Sequence, residues 1–278
     1  MAEYWSGGDR LWYRTMGAGR EVFLLHPTPV DHRFWMPAAH FLQDRYRFIL
    51  PDLRGHGRSE AGRGEISMVR LAEDVERLMD LLGLERACFA GCSVGAYVLY
   101  ELWRRCPGRV TALAFCCGKP QADSAAARAK RQENIAKIAR DGVDEFFNQT
   151  LTVVVSSAFA GKQPAKVRAL RTAMDTVTPR AAIAIQQGLM NRPDSMPTVE
   201  TISVPVLALA GEEDTLSSPA EMMELAKLPA QAEYRLLRGL GHFAPYEDPE
   251  TVSGILKGFF DRVLAGAAPF GAERNTIG

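Results

Sequence analysis

The sequence has no excess of charge of either sign: 33 Lys and Arg stand against 33 Asp and Glu, for a formal net charge of +0. Nothing in that balance advertises a phosphate backbone or an anionic bilayer, so neither nucleic-acid nor membrane binding is expected. The chain also lacks an apolar run long enough to cross a bilayer. Its first ten residues hold no apolar core of signal-peptide length, and a cytoplasmic protein is expected. Cysteine is sparse, five in 278 residues, and irregularly spaced. Cys88 and Cys92 flank a strand end, Cys106 ends a helix and Cys116-Cys117 sit in an apolar run. Small buried thiols are therefore expected rather than a disulfide framework or a zinc site. No metal and no cofactor is expected.

The most informative stretch that is present runs Cys88-Phe89-Ala90-Gly91-Cys92-Ser93-Val94-Gly95-Ala96-Tyr97-Val98-Leu99, an apolar run broken by two glycines around one serine. It predicts a strand, a sharp turn at Ser93 and a helix over residues 94–105. Gly91 and Gly95 keep bulk away where the backbone folds over itself, and the turn projects the hydroxyl into a cleft. The helix N-terminus offers free N–H groups and the positive end of its dipole to a developing oxyanion. In this context the G-x-S-x-G pattern resembles the nucleophile elbow of the α/β-hydrolase superfamily.

The remaining chain has length for one large α/β domain with an insertion. Residues 3–6 and 11–14, joined by 7–10, read as an antiparallel hairpin. Residues 22–25 form a continuous apolar run, typical of a parallel strand buried on both faces, and 46–52 read as the next strand, with a helix expected over 34–43 between them. Asp52-Leu53-Arg54-Gly55-His56-Gly57-Arg58-Ser59 resembles the D-x-R-G-x-G-x-S turn of the superfamily, and His56 is read as structural there. A helix over 68–82, capped by Ser67 or Glu65, is followed by strands at 110–117, 204–211 and 232–238. Between Gly118 and Ser203 strands stop, and helices are expected at 123–140, 143–150, 165–176 and 179–190. The resemblance implies an α/β-hydrolase fold: a mostly parallel central sheet flanked by helices, with an inserted helical cap. Residues 1–118 and 204–278 would form the core, 119–203 the cap over Ser93, and 266–278 a frayed tail.

The resemblance also assigns roles. Ser93, Asp214 and His242 follow the superfamily's chain order of nucleophile, acid and base, and each lies just past a predicted strand end, where parallel sheets bind ligands. A serine hydroxyl needs a base, and the base needs a carboxylate to fix its tautomer. Of the other histidines, His26, His32, His40 and His56, none follows the last strand in a glycine-flanked loop. Glu213 is one residue early for the acid, and Asp123, after the strand where some family members place theirs, stays open as an alternative to Asp214. His26-Pro27-Thr28-Pro29 resembles the H-G-x-P loop that supplies an oxyanion N–H. Proline has no N–H, so Thr28 is the donor expected from this loop and Val94 the second. Trp35, Phe147, Met174, Met190 and Phe243 are candidates for pocket lining.

With serine rather than aspartate at the elbow, the resemblance points to acyl transfer to water. The layout is most similar to the carboxylesterase and 3-oxoadipate enol-lactonase-like branch, implying a cofactor-free hydrolase acting on a small to medium carboxylic ester or lactone. The same triad would serve a C–C bond hydrolase or, given Pro29, a perhydrolase of short carboxylic acids. The fold also serves as a small-ligand receptor. No motif encodes acyl-chain length, the choice of ester or lactone, or oligomeric state.

Overall fold

The computed structural model describes residues 1–265, so the tail expected at 266–278 lies outside the described residues. Eight strands, β1 (Ala2–Ser6), β2 (Asp9–Met16), β3 (Arg20–Leu25), β4 (Tyr46–Asp52), β5 (Ala87–Cys92), β6 (Val110–Cys116), β7 (Val206–Gly211) and β8 (Ala232–Leu237), form one sheet in the order β1-β2-β4-β3-β5-β6-β7-β8. The β1–β2 and β2–β4 pairings are antiparallel and all later ones parallel. This is the mostly parallel sheet of the α/β-hydrolase fold.

The apolar runs are continuous because both faces of the sheet are covered. Val22 and Leu24 of β3 join Ala90, Ala114 and Leu209 in one core, while Phe23 and Leu25 join Phe89, Leu113 and Phe115 in the other. Burying each such Leu or Phe side chain stabilises the fold by roughly 1.5–3 kcal/mol before chain entropy is counted.

The helices are α1 (Met36–His40), α2 (Met68–Leu81), α3 (Val94–Arg105), α4 (Ala125–Asp141), α5 (Asp144–Val154), α6 (Ser157–Lys162), α7 (Pro164–Met174), α8 (Pro179–Met190), α9 (Met196–Val199), α10 (Pro219–Lys227), α11 (Ala244–Glu247) and α12 (Pro249–Leu264). Six of them, α4 to α9, fill the interval between β6 and β7. Their starts follow local chemistry. Ser67, Ser124 and Thr178 each accept a hydrogen bond from the third residue on, and Ser218 with Glu221 closes a capping box. Among the described residues no helix is long and apolar enough to cross a membrane.

Three local expectations change. The hairpin turn is Gly7-Gly8 alone, with φ of 58° and 86°, the left-handed values a two-residue turn requires at both positions. The helix expected over 34–43 is divided into a 3-10 turn at His32–Phe34, capped by Asp31, and the short α1, whose first turn holds Pro37. Pro37 has no N–H to continue the preceding turn and suits a helix start. Helices α6, α9 and α11 are additional: six, four and four residues, too short to display a period.

Candidate active site

Parallel strands bring their C-terminal ends to one edge of the sheet, and the loops leaving β3, β5, β7 and β8 carry Thr28, Ser93, Asp214 and His242 there. Ser93 sits at φ 52°, ψ −112°, a backbone setting that costs a non-glycine residue free energy and marks a constrained turn. Its N–H donates to Cys116 O at 3.1 Å and its carbonyl accepts from Tyr97 N–H at 3.0 Å, which opens α3. The flanking glycines are required by close approach. A Cβ on Gly95 would stand 2.1 Å from Leu25 O, and one on Gly91 2.4 Å from the Gly95 carbonyl.

Asp214 is buried, and its two oxygens have separate tasks. Oδ1 accepts from the N–H groups of Leu216 (2.8 Å) and Ser217 (3.0 Å), while Oδ2 stands 2.8 Å from His242 Nδ1. A carboxylate only accepts, so Nδ1 carries the proton and the neutral ring keeps its lone pair on Nε2, the form a general base needs. Among the described residues no hydrogen bond joins Ser93 Oγ to His242. Such bonds often tighten only when substrate is bound.

Asp123 is occupied elsewhere. Its carboxylate pairs with Arg131 of α4 and with Arg192, just past α8; Arg192 also donates to Gln121 O at 2.7 Å and lies 4.4 Å over the Tyr97 ring. Burial pushes the Asp123 carboxyl up, but the two guanidiniums hold it below its ordinary value. It ties the start of the helical block to α4 and to the residue after α8, and Arg192 carries the contact to Tyr97 of α3.

His26 and His56 are structural by the same bookkeeping. His26 Nδ1 faces Pro27 O at 2.9 Å while Nε2 accepts from Leu53 N–H at 2.9 Å. His56 Nδ1 faces Arg54 O at 3.0 Å, so it carries the proton, and Nε2 accepts from the Thr28 hydroxyl at 2.8 Å. Burial pushes both rings down, His56 to about 4, with His26 adding to the effect. His56 thus orients Thr28. Among the described residues no hydrogen bond takes up the N–H of Thr28 or of Val94, the two donors expected for an oxyanion. The Thr28–Pro29 bond is cis.

Asp31, His32 and Asp52 bring ligand-type atoms within 4.8 Å of one another. Their oxygens are already engaged. Asp31 is held by the Arg33 guanidinium at 2.6 to 3.0 Å, and Asp52 accepts from His32 N–H (3.0 Å), His32 Nδ1 (2.7 Å) and Arg58 N–H (3.0 Å). The cluster locks the loop after β3. Four of the five thiols are buried and Cys106 is partly so; burial pushes the Cys92 and Cys117 thiols well up, which leaves them unreactive.

A cavity of about 290 Å³ opens between the loop after β3 and α7, lined by residues including Val30, Arg33, Phe34, Leu170, Ala173 and Tyr246. Phe34, in the cavity wall, meets Phe243 edge to face at 5.1 Å, and Phe243 stacks on His242 at 5.9 Å, so a run of ring contacts connects the cavity wall to the imidazole. None of the five residues singled out for pocket lining is among those that line this cavity. Trp35, Phe147, Met174 and Phe243 are fully buried, Trp35 donating to Leu25 O at 2.9 Å, and Met190 is half-buried at the end of α8. Two features escaped the sequence reading altogether: the Asp123 brace and a buried carboxylate, Glu247, beside the His242 loop. Both join residues far apart in the chain, and no local signal marks them.

Residues 22–249 match the sequence family of the alpha/beta hydrolase fold. The chain belongs to that family. Relatives of this α/β hydrolase include 3-oxoadipate enol-lactonase 2 of Acinetobacter baylyi, 26% identical over 234 residues, which are 81% of this chain and 84% of that one. A shorter stretch of 121 residues is 36% identical to a protein assigned as a carbamate hydrolase in Azorhizobium caulinodans; it spans 43% of this chain and less than half, 46%, of that relative. Among solved structures, a thermophilic esterase from Thermogutta terrifontis superposes with a TM-score of 0.89 at 28% identity, covering 94% of this chain and 97% of the esterase. The enol-lactonase from Burkholderia xenovorans LB400 does so at 0.88 and 25%, covering 94% and 100%.

Proposed function

We propose that this α/β hydrolase cleaves a small to medium carboxylic ester or lactone through an acyl-enzyme. Ser93 Oγ attacks the carbonyl carbon as His242 Nε2 takes its proton. The oxyanion of the tetrahedral intermediate is held by the N–H groups of Thr28 and Val94, and His242 returns the proton to the leaving alcohol. Water, deprotonated by His242, then releases the acid and frees Ser93. Asp214 orients the imidazole and stabilises its charged form. The helical block 119–203 acts as a cap, and the cavity beside Phe34 and Ala173 receives a substituent of the substrate.

The observation that carries this reading is the Asp214–His242 hydrogen bond at 2.8 Å, on the sheet edge where the strained Ser93 turn ends. The esterase and enol-lactonase relatives support the bond type. The test is hydrolysis of a panel of p-nitrophenyl esters and of simple lactones, with wild type beside Ser93→Ala. Turnover by wild type that falls to background in the variant supports the reading. Equal rates for the two proteins, or no turnover of any ester or lactone, contradict it.

A further inference from the structure

The loop that carries His242 is gripped from two sides. From the sheet, the Cys92 thiol donates to His242 O at 3.6 Å and the Cys117 thiol to Gly241 O at 3.9 Å, and a Cβ on Gly211 would stand 2.2 Å from the Gly241 carbonyl oxygen. From the helical block, the junction between α5 and α6 lies directly against the loop. Phe243 N–H donates to Val154 O at 2.7 Å, and a Cβ on Gly241 would stand 2.7 Å from Ser156 N.

Glu247 bridges these two parts. Its Oε1 accepts from Gly241 N–H at 3.0 Å, and its Oε2 accepts from Ser156 N–H at 3.2 Å and from the Ser156 hydroxyl at 2.6 Å. Ser156 Oγ in turn accepts from Phe159 N–H at 3.2 Å, capping α6. Glu247 is only 7% exposed. A carboxylate in such a place is costly unless donors surround it, and no cationic side chain pairs with it among the described residues; three protein donors do that work. The residue immediately before the imidazole and the N-cap residue of α6 therefore share one acceptor.

We propose that Glu247 is a positioning residue for His242: by clamping Gly241 to the α5–α6 junction it holds the imidazole in its working orientation and couples that orientation to the helical block over the site. The proposal rests on the reading of His242 as the general base. Loss of the clamp lets the loop shift relative to Ser93, and a displacement on the ångström scale is enough to cost a large factor in proton transfer without weakening substrate binding.

The test compares Glu247→Gln, Ser156→Ala and, as control, His242→Ala with wild type in p-nitrophenyl ester hydrolysis. Rates are expressed per live site, titrated with a fluorophosphonate, for wild type and the two clamp variants and per chain for His242→Ala, and are recorded against pH alongside the melting temperature. Glu247→Gln offers one oxygen where two are used, and Ser156→Ala deletes one donor while leaving the carboxylate in place. The expected result is a kcat per live site reduced about tenfold or more in Glu247→Gln and less in Ser156→Ala, KM within about twofold of wild type, and a displaced acid limb of the kcat/KM profile. A purely structural role would lower the melting temperature and the fraction of live sites, leaving kcat per live site and the acid limb as in wild type. That result overturns the proposal. If Glu247→Gln does not fold, Ser156→Ala decides by the same criteria. Wild-type turnover in His242→Ala would overturn the underlying reading as well; an inactive His242→Ala beside wild-type kcat and pH profile in both clamp variants would overturn the proposal alone.

Discussion

His242 Nδ1 stands 2.8 Å from Asp214 Oδ2, whereas the Asp123 carboxylate is bound by Arg131 and Arg192. Both acids follow strands of the same sheet, and only their partners separate them. The hydrogen bonds of Asp214 also predict what an amide would do there. Oδ1 accepts from two backbone N–H groups, Leu216 and Ser217, so in Asp214→Asn the oxygen must stay with them and the NH₂ must face His242. Nδ1 then becomes the acceptor, the ring proton moves to Nε2, and the base is lost. Asp214→Asn is expected to lower kcat by about 10⁴-fold with KM little changed, while Asp123→Asn keeps the wild-type pH profile. Steady-state kinetics on one p-nitrophenyl ester measures both.

Asp123 has a different consequence. Removing its charge leaves Arg192, whose side chain is 4% exposed, without its ionic partner. Breaking a buried pair from one side typically costs 3–5 kcal/mol, and the partial exposure of Arg131 places Asp123→Asn at the lower end, about 3 kcal/mol. Urea unfolding followed by circular dichroism should show a lower midpoint. An unchanged midpoint would mean that the brace contributes nothing to stability.

The elbow and the loops after the strands were legible because their signals are local. Glycines on either side of Ser93, prolines around Thr28 and the capping box at Ser218 are short patterns with direct steric or hydrogen-bonding meaning. The order of the chain and the place after the penultimate strand favour Asp214 over Asp123 in the sequence. The ion pairs that occupy Asp123, with Arg131 and Arg192, were not legible, because no spacing rule announces that they meet. The Glu247 clamp pairs residues 91 apart in the chain, and its carboxylate reads in sequence as an ordinary helix residue. Helices α6, α9 and α11 are too short to display a period, and residue type alone does not tell a pocket from a core. Aromatic and methionine side chains fill cores as readily as pockets, and Trp35 and Phe147 are fully buried.

Acid should destabilise the fold through His56. Its ordinary value of 6.5 falls to about 4 in the folded protein because burial disfavours the charged ring. Between those values the unfolded chain binds a proton that the folded chain does not. Stability is therefore intact above pH 6.5 and falls as pH drops toward 4, by on the order of 3 kcal/mol in all. His26, lowered by burial in the same direction, steepens the loss. His56→Gln can still accept from Thr28 and donate to Arg54 O without titrating, so its melting temperature should depend less on pH across this window. An equal slope in the two proteins would contradict the assignment.

Filling the cavity beside α7 should narrow the substrate range. Ala173 and Phe34 both line it, and the phenyl ring of Ala173→Phe would take up part of its volume of about 290 Å³. The variant is expected to keep acetyl ester hydrolysis within about threefold of wild type and to lose at least about tenfold in kcat/KM on esters with longer acyl chains, as one or two excluded methylenes imply. A uniform loss across chain lengths would show that the cavity does not receive substrate.

The central claim is that Ser93 is the nucleophile, and the most direct measurement is peptide mapping by mass spectrometry after reaction with an active-site-directed fluorophosphonate. One label per chain is expected, on Ser93, acquired in step with loss of ester hydrolysis and absent from Ser93→Ala. Complete inactivation with the label on another residue, or continued hydrolysis by a Ser93→Ala protein, would contradict it.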